Sequence, residues 1–409
     1  MTMEIHTLCC SDLGNSSHVL IDRDSYSGVV IDLMCETDRN LNIARSVDVS
    51  ITWALDTLAN RDFVFGRREL VAENLTRPGA RSGTRLLFAI NSCDDVDAIG
   101  IGSWRLRMLV IPGHVPEHPA CLPLDEAGYV EALFSGGSLI VGTRARTDFF
   151  GLALSWLFAR DSRQYVLVSS IAAPYPAYYC IMRSSNPAVA LQIGPTPSSM
   201  ASMDLEDLDL WIAQGALFVD LRSSLDFRSG HLSGRISGAV EGKVSGWIGW
   251  LVSPEGALVL VTDEPEGGNG QIDEAQRKVL RIDYERIVVY LKGALTNWVQ
   301  AALSLVPYDT ATVAELAKYF DFDQATAIIE IREAGQWYAW SVPGTFTLVV
   351  DDILTTTFEF PNSAGLVSHC GHGYRATLGA GLHEGSGYRA LIVLDNSFND
   401  WEVLGIDEK

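Results

Sequence analysis

Between residues 200 and 409 the chain repeats one pattern of short apolar segments, and this repeat restricts the fold more than any other feature. The segments of the first copy lie at 216–222, 257–263 and 286–291. Those of the second copy lie at 327–333, 364–370 and 390–401. In the first copy a helical stretch at 272–280 separates two of the segments. Strands that alternate with helices at this spacing predict a parallel α/β sheet in each copy, built from a unit of about 100 residues.

Two stretches of the sequence divide the chain into three predicted domains. Residues 186–203 are rich in proline, serine and other small residues, which is typical of a linker. A weaker boundary lies at 305–310, between two predicted helices. We therefore predict domains at 1–195, 200–305 and 308–409, which fits the roughly two to four domains expected for a chain of this length.

The composition is that of a globular protein with a large negative charge. Hydrophobic residues make up 47% of the 409 residues and charged residues 20%, which is enough for well-formed cores. The formal net charge of −21 argues against nucleic acids and anionic membrane surfaces as partners. The N-terminus lacks the basic and apolar regions of a signal peptide, and no apolar run reaches the roughly 18 residues of a membrane span. The seven cysteines have no regular spacing, so we expect free thiols and a cytoplasmic protein.

A loop that begins with a cysteine is the clearest candidate for a chemical site. It comprises Cys370, Gly371, His372, Gly373, Tyr374, Arg375 and Ala376. A strand-like run precedes the cysteine, and small residues that favour a helix follow the loop at 376–382. Backbone N–H groups at the start of such a helix face the sulfur and favour a thiolate, and the two glycines permit positive φ angles. The pattern predicts an anion-binding loop around a nucleophilic sulfur. The alternative is a buried, inert cysteine at a strand end.

This loop resembles the active-site loop of rhodanese-type sulfurtransferases, and both repeats resemble rhodanese domains over their whole length. The resemblance implies that Cys370 carries a persulfide and that Arg375 orients an anionic sulfur donor. The other five residues of the loop would bind the donor: Gly371, His372, Gly373, Tyr374 and Ala376. For His372 the sequence leaves open a role in donor binding or a solvent-facing position, and Tyr374 is expected to pack at the loop edge. The related dual-specificity phosphatases have one more residue between cysteine and arginine, so the four-residue gap here favours sulfur over phosphate or arsenate chemistry.

The first repeat lacks this loop. The matching segment contains a threonine and three acids: Thr262, Asp263, Glu264 and Glu266. No cysteine lies anywhere from residue 181 to residue 369, and the acidic residues would repel anionic donors and disfavour a thiolate. We therefore predict that the first repeat is catalytically inactive and serves packing or partner contacts. Three of its polar residues are interpreted as structural: Asp220, Arg222 and His231.

The N-terminal part, residues 1–185, resembles the metallo-β-lactamase fold, and within it the persulfide dioxygenases that are often fused to rhodanese domains. The matching segments lie at 16–33, 54–70, 109–122 and 133–151. The first looks like an opening hairpin that ends at Asp32. The resemblance implies an α/β multidomain chain, in which an αββα sandwich is followed by two rhodanese-like parallel α/β domains.

Most iron ligands of that family are absent from this chain. A mononuclear iron site needs two histidines and one carboxylate on one face. The corresponding positions hold Leu58, His114 and Gly137, so only one ligand remains. His118 follows His114 by four residues, but the intervening proline excludes a helical ligand pair. We therefore predict that this domain is a pseudoenzyme that holds no metal and no cofactor, with a cleft that binds a small molecule or a carrier, or is filled by side chains.

A second metal would find only His114 and Asp62 as ligands. In the first loop of the family Asp62 matches, whereas Asn60 and Phe63 stand where further ligands would be. A different site could be built from other residues: Cys35, Cys93, Cys121 and Cys180, with Asp62, Asp94, Asp95 and Asp148. Nothing in the spacing of these residues favours it.

The sequence thus predicts a sulfurtransferase that passes sulfane sulfur from thiosulfate or a thiol persulfide to a thiol, cyanide or a carrier protein. Two other classes stay open: a persulfide dioxygenase with an atypical metal site, and a non-catalytic sulfur-delivery partner in a biosynthetic pathway. A homodimer is one of the oligomeric states that the sequence leaves open.

Overall fold

The computed structural model describes the following residues of the chain: 3–10, 12–57, 63–66, 70, 76–81, 84, 91–93, 98–110, 118–136, 152–159, 162–169, 178–179, 182, 186, 200–240, 242–253, 256–263, 270–284, 287–291, 304–315, 326–332, 337, 341, 344–353, 356, 365–388 and 391–394. No helix among them is long and apolar enough to cross a membrane.

The chain divides into two compact units. The first comprises Met1–Pro197 together with Val279–Tyr284, and the second comprises Ser198–Lys278 together with Glu285–Lys409. The boundary after Pro197 lies inside the predicted linker at 186–203. The segment Val279–Tyr284 belongs to the first unit, although the residues on both sides of it in the sequence belong to the second. The pattern of apolar residues does not predict this assignment.

Three sheets and the helix α1 (Thr37–Ser46) are the main described elements of the first unit. A six-stranded sheet contains β1 (Glu4–Cys10), β2 (Asn15–Asp22), β3 (Ser27–Ile31), β4 (Ser50–Leu55), β5 (Arg77–Ala80) and β6 (Asn91–Ser92) in that order. The first three strands are antiparallel and the last four are parallel. The other elements are α1 (Thr37–Ser46), the antiparallel strands β7 (Ala98–Ile101), β8 (Trp104–Val110) and β9 (Pro119–Leu124), and the hairpin of β10 (Leu152–Ala159) and β11 (Ser162–Ser169).

The six-stranded sheet is covered on both faces. Along β2, Val19 and Ile21 pack in one apolar cluster with Ala44 of α1. Leu20, which points to the opposite face, packs in another cluster with Trp104 of β8. Each such burial stabilises the fold by about 1.5–3 kcal/mol, and the alternation along the strand assigns one cluster to each face. Strands β2 and β3 form the predicted opening hairpin.

The second unit contains two five-stranded sheets, one in each repeat. The first repeat has β12 (Ser202–Met203), β13 (Leu217–Asp220), β14 (Ile236–Ser237), β15 (Leu258–Val261) and β16 (Ile287–Leu291), with α2 (Leu208–Ala213), α3 (Ser224–Ser229), α4 (Val244–Leu251) and α5 (Gln271–Leu280). The second has β17 (Asp309–Ala311), β18 (Thr326–Glu330), β19 (Phe346–Thr347), β20 (Gly365–His369), β21 (Leu391–Leu394) and α6 (Tyr374–Gly385). Short 3₁₀ turns lie at Leu205–Asp207 and Val350–Asp352.

The two sheets have the same strand order. The first reads β12-β16-β15-β13-β14 and the second β17-β21-β20-β18-β19, and every pair of neighbours is parallel. The predicted parallel α/β sheet is thus present in each repeat. The turns before the edge strands β14 and β19 are also alike, because Gly234 and Gly344 have φ angles of 75° and 77°. The rhodanese type of these repeats stays a prediction.

Helix α6 is buried along almost its whole length. Every residue from Ala376 to Glu384 is inaccessible to solvent, and five of these nine are alanine, glycine or threonine. Small side chains let a helix approach its neighbours closely on several sides, so the helix shows no polar face. It begins two residues earlier and ends three residues later than the predicted 376–382.

Candidate active site

The Cys370 loop lies at the carboxyl end of the central strand of the second repeat. Strand β20 has β21 on one side and β18 on the other, and its residues Leu366 to His369 are buried. A strand buried on both faces is typical of a parallel sheet, and the carboxyl ends of such strands are where sites form. Cys370 follows the strand directly, and α6 begins at Tyr374.

A backbone amide from the first turn of α6 points at the sulfur. The Ala376 N–H donates to Cys370 Sγ at 3.3 Å. Gly373 has a φ of 79°, in the left-handed region that favours glycine, and its carbonyl accepts the Thr377 N–H at 2.9 Å. The loop therefore turns so that the positive end of a twelve-residue helix faces the sulfur, an arrangement that stabilises negative charge there.

The other loop residues surround this sulfur at different depths. His372 is exposed, Tyr374 and Arg375 are half-buried, and Gly371 is buried. A methyl group placed on Gly371 would lie 3.9 Å from an Arg375 guanidinium nitrogen, so the arginine runs beside the loop backbone. Of the seven predicted residues, Cys370, Gly371, His372 and Gly373 form the loop, whereas Tyr374, Arg375 and Ala376 form the first turn of α6. The cysteine itself does not lie at the surface, because only 2% of Cys370 is exposed.

A histidine that the sequence pattern did not single out precedes the cysteine. His369 is fully buried, and burial together with the nearby Arg332 charge lowers its pKa to about 3. Arg332 pairs with Glu330 at the end of β18, and both side chains are buried. His369 is therefore neutral at physiological pH and adds no positive charge behind the loop.

In the first repeat, the hydrogen-bond register places Thr262 where the second repeat has Cys370. The Leu221 N–H donates to Val261 O at 2.8 Å, as the Ile331 N–H donates to His369 O at 2.7 Å. The next residues are Thr262 and Cys370. The Thr262 hydroxyl donates to Gln271 at 2.8 Å and its side chain is buried. Glu264 and Glu266 lie outside the described residues.

The three polar residues interpreted as structural in the first repeat all have buried partners. The Arg222 guanidinium donates to the Asp220 carboxylate at 2.6 and 2.9 Å. Both ring nitrogens of His231 lie at hydrogen-bond distance from oxygen atoms, Phe227 O at 3.0 Å and Glu384 Oε2 at 3.1 Å. Such contacts fix side chains and leave none of these atoms facing a substrate.

Glu384 is a buried acid near the end of α6 that the repeat pattern did not reveal. Burial opposes its charge, but hydrogen bonds from His231, the Gly234 N–H and Ser233 outweigh that effect and lower its pKa to about 2. The Tyr308 hydroxyl also donates to it, at 3.2 Å. A glutamate within a helix of small and apolar residues is the sequence signal that could have indicated a buried partner.

The predicted metal positions of the first unit fall largely outside the described residues: Leu58, Asn60, Asp62, His114 and Gly137. Of those that are described, Phe63 packs in an apolar cluster with Cys10, Met34 and Phe65. His118 is buried, and its Nε2 donates to the Ser135 carbonyl at 2.8 Å, so that nitrogen does not face a metal. No three ligating side chains among the described residues are grouped so as to hold an ion. The metal-free state of this domain stays a prediction.

An arginine from the segment Val279–Tyr284 lies in a buried acidic cluster of the first unit. Arg281 donates to both Glu36 oxygens at 2.8 and 2.9 Å and to Asp12 at 3.0 Å. The Cys10 thiol donates to the same Asp12 oxygen at 3.0 Å. Burial, offset in part by Arg281, raises the pKa of Cys10 to about 12. Neither this cluster nor the position of Arg281 was predicted.

The other buried thiols of the first unit are also poor nucleophiles. Burial raises the pKa of Cys35 and of Cys121 well above the ordinary thiol range. All six cysteines in the described part of the chain are free. A thiol that stays protonated does not attack a substrate, so Cys35 and Cys121 are not suited to be nucleophiles.

Comparison with known proteins shows the fold of part of the chain. A metallo-β-lactamase from Staphylococcus aureus subsp. aureus COL is 18% identical, with a TM-score of 0.57 over 71% of this chain and 98% of that one. ETHE1 from Myxococcus xanthus is 22% identical, with a TM-score of 0.32 over 36% and 63%. A metallo-β-lactamase from Cronobacter sakazakii is 16% identical, with a TM-score of 0.24 over 28% and 53%.

The first of these likenesses confirms the metallo-β-lactamase part of the predicted fold, and its extent exceeds what residues 1–195 alone could supply. The other two cover shorter parts of the chain. No family model matches the sequence, and no curated protein sequence matches it.

Proposed function

We propose that the chain is a sulfurtransferase that carries a persulfide on Cys370. The observation that supports this most directly is the hydrogen bond from the Ala376 N–H to Cys370 Sγ at the N-terminus of α6. A sulfur that accepts a backbone N–H at the start of a helix is suited to bear negative charge when it attacks as a thiolate. The same sulfur then carries the transferred sulfur atom of the persulfide. The described cysteines of the first unit that are buried beside acids or apolar groups offer no such environment.

The reaction takes place in two transfers. The Cys370 thiolate attacks the outer sulfur of thiosulfate, a new S–S bond forms, and sulfite leaves with the electron pair of the bond that breaks. A thiolate, cyanide or the thiol of a carrier protein then attacks the outer sulfur of the Cys370 persulfide. That step returns the electron pair to Cys370 as thiolate, so no external oxidant or reductant is needed.

Arg375 orients the anionic donor in this scheme. Its guanidinium runs beside Gly371, the residue that follows Cys370 in the loop. A planar group with five donors holds an oxyanion in a fixed direction, and this directs the outer sulfur of the donor towards Cys370. His372 is exposed at the outer side of the loop, where an incoming donor or carrier would pass first.

The test of this function is the intact mass of the protein after incubation with thiosulfate. The parent is expected to gain the mass of one sulfur atom and to lose it on addition of cyanide. Cys370→Ser should gain nothing, whereas Cys9→Ser, which removes an exposed thiol of the first unit, should behave as the parent. Sulfur uptake that persists in Cys370→Ser would refute the assignment.

For the first unit we propose a metal-free role as a binding domain. Phe63 packs among apolar side chains and carries no ligating atom, and the Nε2 of His118 is bound to the Ser135 carbonyl. Elemental analysis of protein expressed with added iron or zinc should find much less than one equivalent of metal. About one equivalent that is lost in His114→Ala would instead support the persulfide dioxygenase alternative, because such a site needs about three protein ligands.

A further inference from the structure

The helix that carries the Cys370 loop contacts the inactive repeat at its beginning, its middle and its end. Tyr374, Gly381 and Glu384 are spaced by seven and three residues, which places them along one side of α6. Each of these three residues has a close neighbour in the first repeat, so the helix is fixed by more than its own sheet.

At the beginning of α6, the Tyr374 ring lies directly against Gly242. A methyl group on Gly242 would be 2.4 Å from the ring, so no other residue fits there without movement. The backbone around this glycine is itself held, because the buried Lys278 ammonium donates to Val240 O at 2.5 Å and to Gly242 O at 3.2 Å. The edge of the Cys370 loop thus rests on a rigid segment of the first repeat.

In the middle of α6, the backbone of the first repeat approaches the helix with no space for a side chain. A methyl group on Gly381 would be 2.7 Å from the Arg235 carbonyl oxygen and 3.4 Å from Ile236 Cα, the first residue of β14. On another side of the helix, Gly379 is equally tight against Ile331 of its own repeat. The helix is therefore confined between the two repeats.

At the end of α6, Glu384 accepts four hydrogen bonds. Its Oε2 accepts from His231 Nε2 at 3.1 Å, the Gly234 N–H at 3.0 Å and the Tyr308 hydroxyl at 3.2 Å. Its Oε1 accepts from the Ser233 hydroxyl at 3.0 Å. Three of these donors belong to the turn that precedes β14, and a buried network satisfied to this degree is rigid.

We propose that the first repeat is the support that positions the Cys370 loop, with Glu384 as the positioning residue that fixes α6 upon it. A rigid helix transmits its position to its first turn, and the Ala376 N–H in that turn is the donor to Cys370 Sγ. A shift of α6 relative to the first repeat therefore changes the distance between amide and sulfur. The inactive repeat thereby acquires a function that explains its retention. This inference rests on the proposed role of Cys370 as the nucleophile.

The sharpest test compares two glycines of α6 that lie one turn apart. Gly381→Ala pushes the helix away from the Arg235 carbonyl, whereas a methyl group on Gly385 meets nothing within 4 Å and serves as the control. Gly381→Ala is expected to lower kcat for sulfur transfer about tenfold with KM within about twofold, since small displacements of reacting groups are costly. Gly385→Ala should keep the parent kcat.

A second readout does not depend on sulfur transfer. Hydrogen exchange of the loop amides at 370–377 should become faster in Gly381→Ala, while exchange in β15 stays at the parent rate. Glu384→Ala should show the same two effects, and Glu384→Gln, which keeps an acceptor oxygen, should recover most of the kcat. Glu206→Gln, at an exposed glutamate of the same unit, is the control for the loss of one charge.

The outcomes separate this inference from the proposed function. If Gly381→Ala and Glu384→Ala both keep the parent kcat and the parent exchange at 370–377, the positioning role is wrong while the sulfurtransferase proposal stands. If the parent transfers no sulfur but the loop exchange still rises in these variants and not in the controls, the proposed function is wrong and the positioning role is supported. If Gly381→Ala does not fold, the Glu384→Ala and Glu384→Gln pair decides the question by the same measurements.

Discussion

The two repeats of the second unit have the same sheet but different loops after the central strand. In both, the second strand ends in an acidic residue that pairs with an arginine two residues later, Asp220 with Arg222 and Glu330 with Arg332. All four side chains are buried. The ion pair is thus a feature of the shared fold and carries no information about which repeat is chemically active.

The difference begins one residue after the central strand. The first repeat continues from Val261 into Thr262, whose hydroxyl is bound within its own repeat. The second continues from His369 into Cys370, whose sulfur accepts a helix N–H. Two repeats with one strand order therefore differ in the residue that follows the central strand, and under the proposed function that residue decides which repeat is reactive.

The helices that follow the loops differ as well. Helix α5 of the first repeat alternates buried and accessible residues, with Asp273, Glu274 and Arg277 on its accessible side. Helix α6 is buried on all sides and contacts both repeats. The Cys370 loop is thus followed by a helix that is held by both repeats. The two loops therefore differ in the packing of the helix that follows them as well as in their residues.

The largest effect is expected where the repeats differ by a single nucleophile. Cys370→Ala should lower thiosulfate:cyanide sulfur transfer at least about a thousandfold, because no persulfide can form without the thiol. The reciprocal change, Thr262→Cys in the Cys370→Ala protein, should restore nothing, since that position lies beside acids. Steady-state transfer assays and circular dichroism of both variants test this, and any activity regained through Thr262→Cys would erase the distinction between the repeats.

A smaller effect should be common to both repeats. Asp220→Ala and Glu330→Ala each leave a buried guanidinium without its carboxylate, so each should lower the free energy of unfolding by about 3 kcal/mol. Only Glu330→Ala should also lower sulfur transfer while the protein is folded, because Glu330 pairs in register with His369, next to Cys370. Urea unfolding and activity below the unfolding range measure the two effects. Equal losses of activity would mean that sulfur transfer merely follows stability.

Much of this comparison could be predicted from the sequence because strands and loops have local signals. The buried runs that became β13, β15, β18 and β20 were visible as apolar segments, and the cysteine loop was visible from its glycines and arginine. The presence of α6 was also predicted, from the small residues after the loop. Its buried length was not, since a short window of small residues does not reveal partners distant in sequence.

The long-range contacts could not be predicted. Glu384 contacts His231, which is 153 positions away, and Arg281 contacts Glu36, which is 245 positions away. Only the packing of whole repeats and units brings such residues together, and a single sequence gives no signal for it. The burial of Cys370 depends on the same long-range packing, and its local sequence gives no signal for it.

The first repeat has no arginine in the turn that corresponds to Arg375, and this difference should affect donors selectively. Arg375→Lys should lower kcat/KM for thiosulfate about tenfold or more, because an ammonium cannot reproduce the planar set of donors. The persulfide should still form at high donor concentration, since Cys370 and Ala376 are unchanged. Arg277→Lys on α5 is the matched control and should keep the parent kinetics. Unchanged kinetics in Arg375→Lys would remove the arginine from donor recognition.

The smallest effect concerns the residue before the loop, which is His369 in the second repeat and Val261 in the first. The pKa of His369 is lowered to about 3, so below pH about 6.5 the unfolded chain takes up a proton that the folded chain refuses. The contribution of His369 to stability is therefore full above that pH. It falls by about 1.4 kcal/mol per pH unit as the pH drops towards 3.

His369→Val makes the second repeat like the first at this position and should remove that dependence. Between pH 7.5 and pH 5.5 the variant is expected to lose about 1.4 kcal/mol less than the parent in urea unfolding. His383, whose pKa is lowered by burial to about 4, and Glu384 contribute equally in both proteins, so their effects cancel in the difference. Parallel pH profiles for parent and variant would show that His369 is accessible to protons in the folded protein.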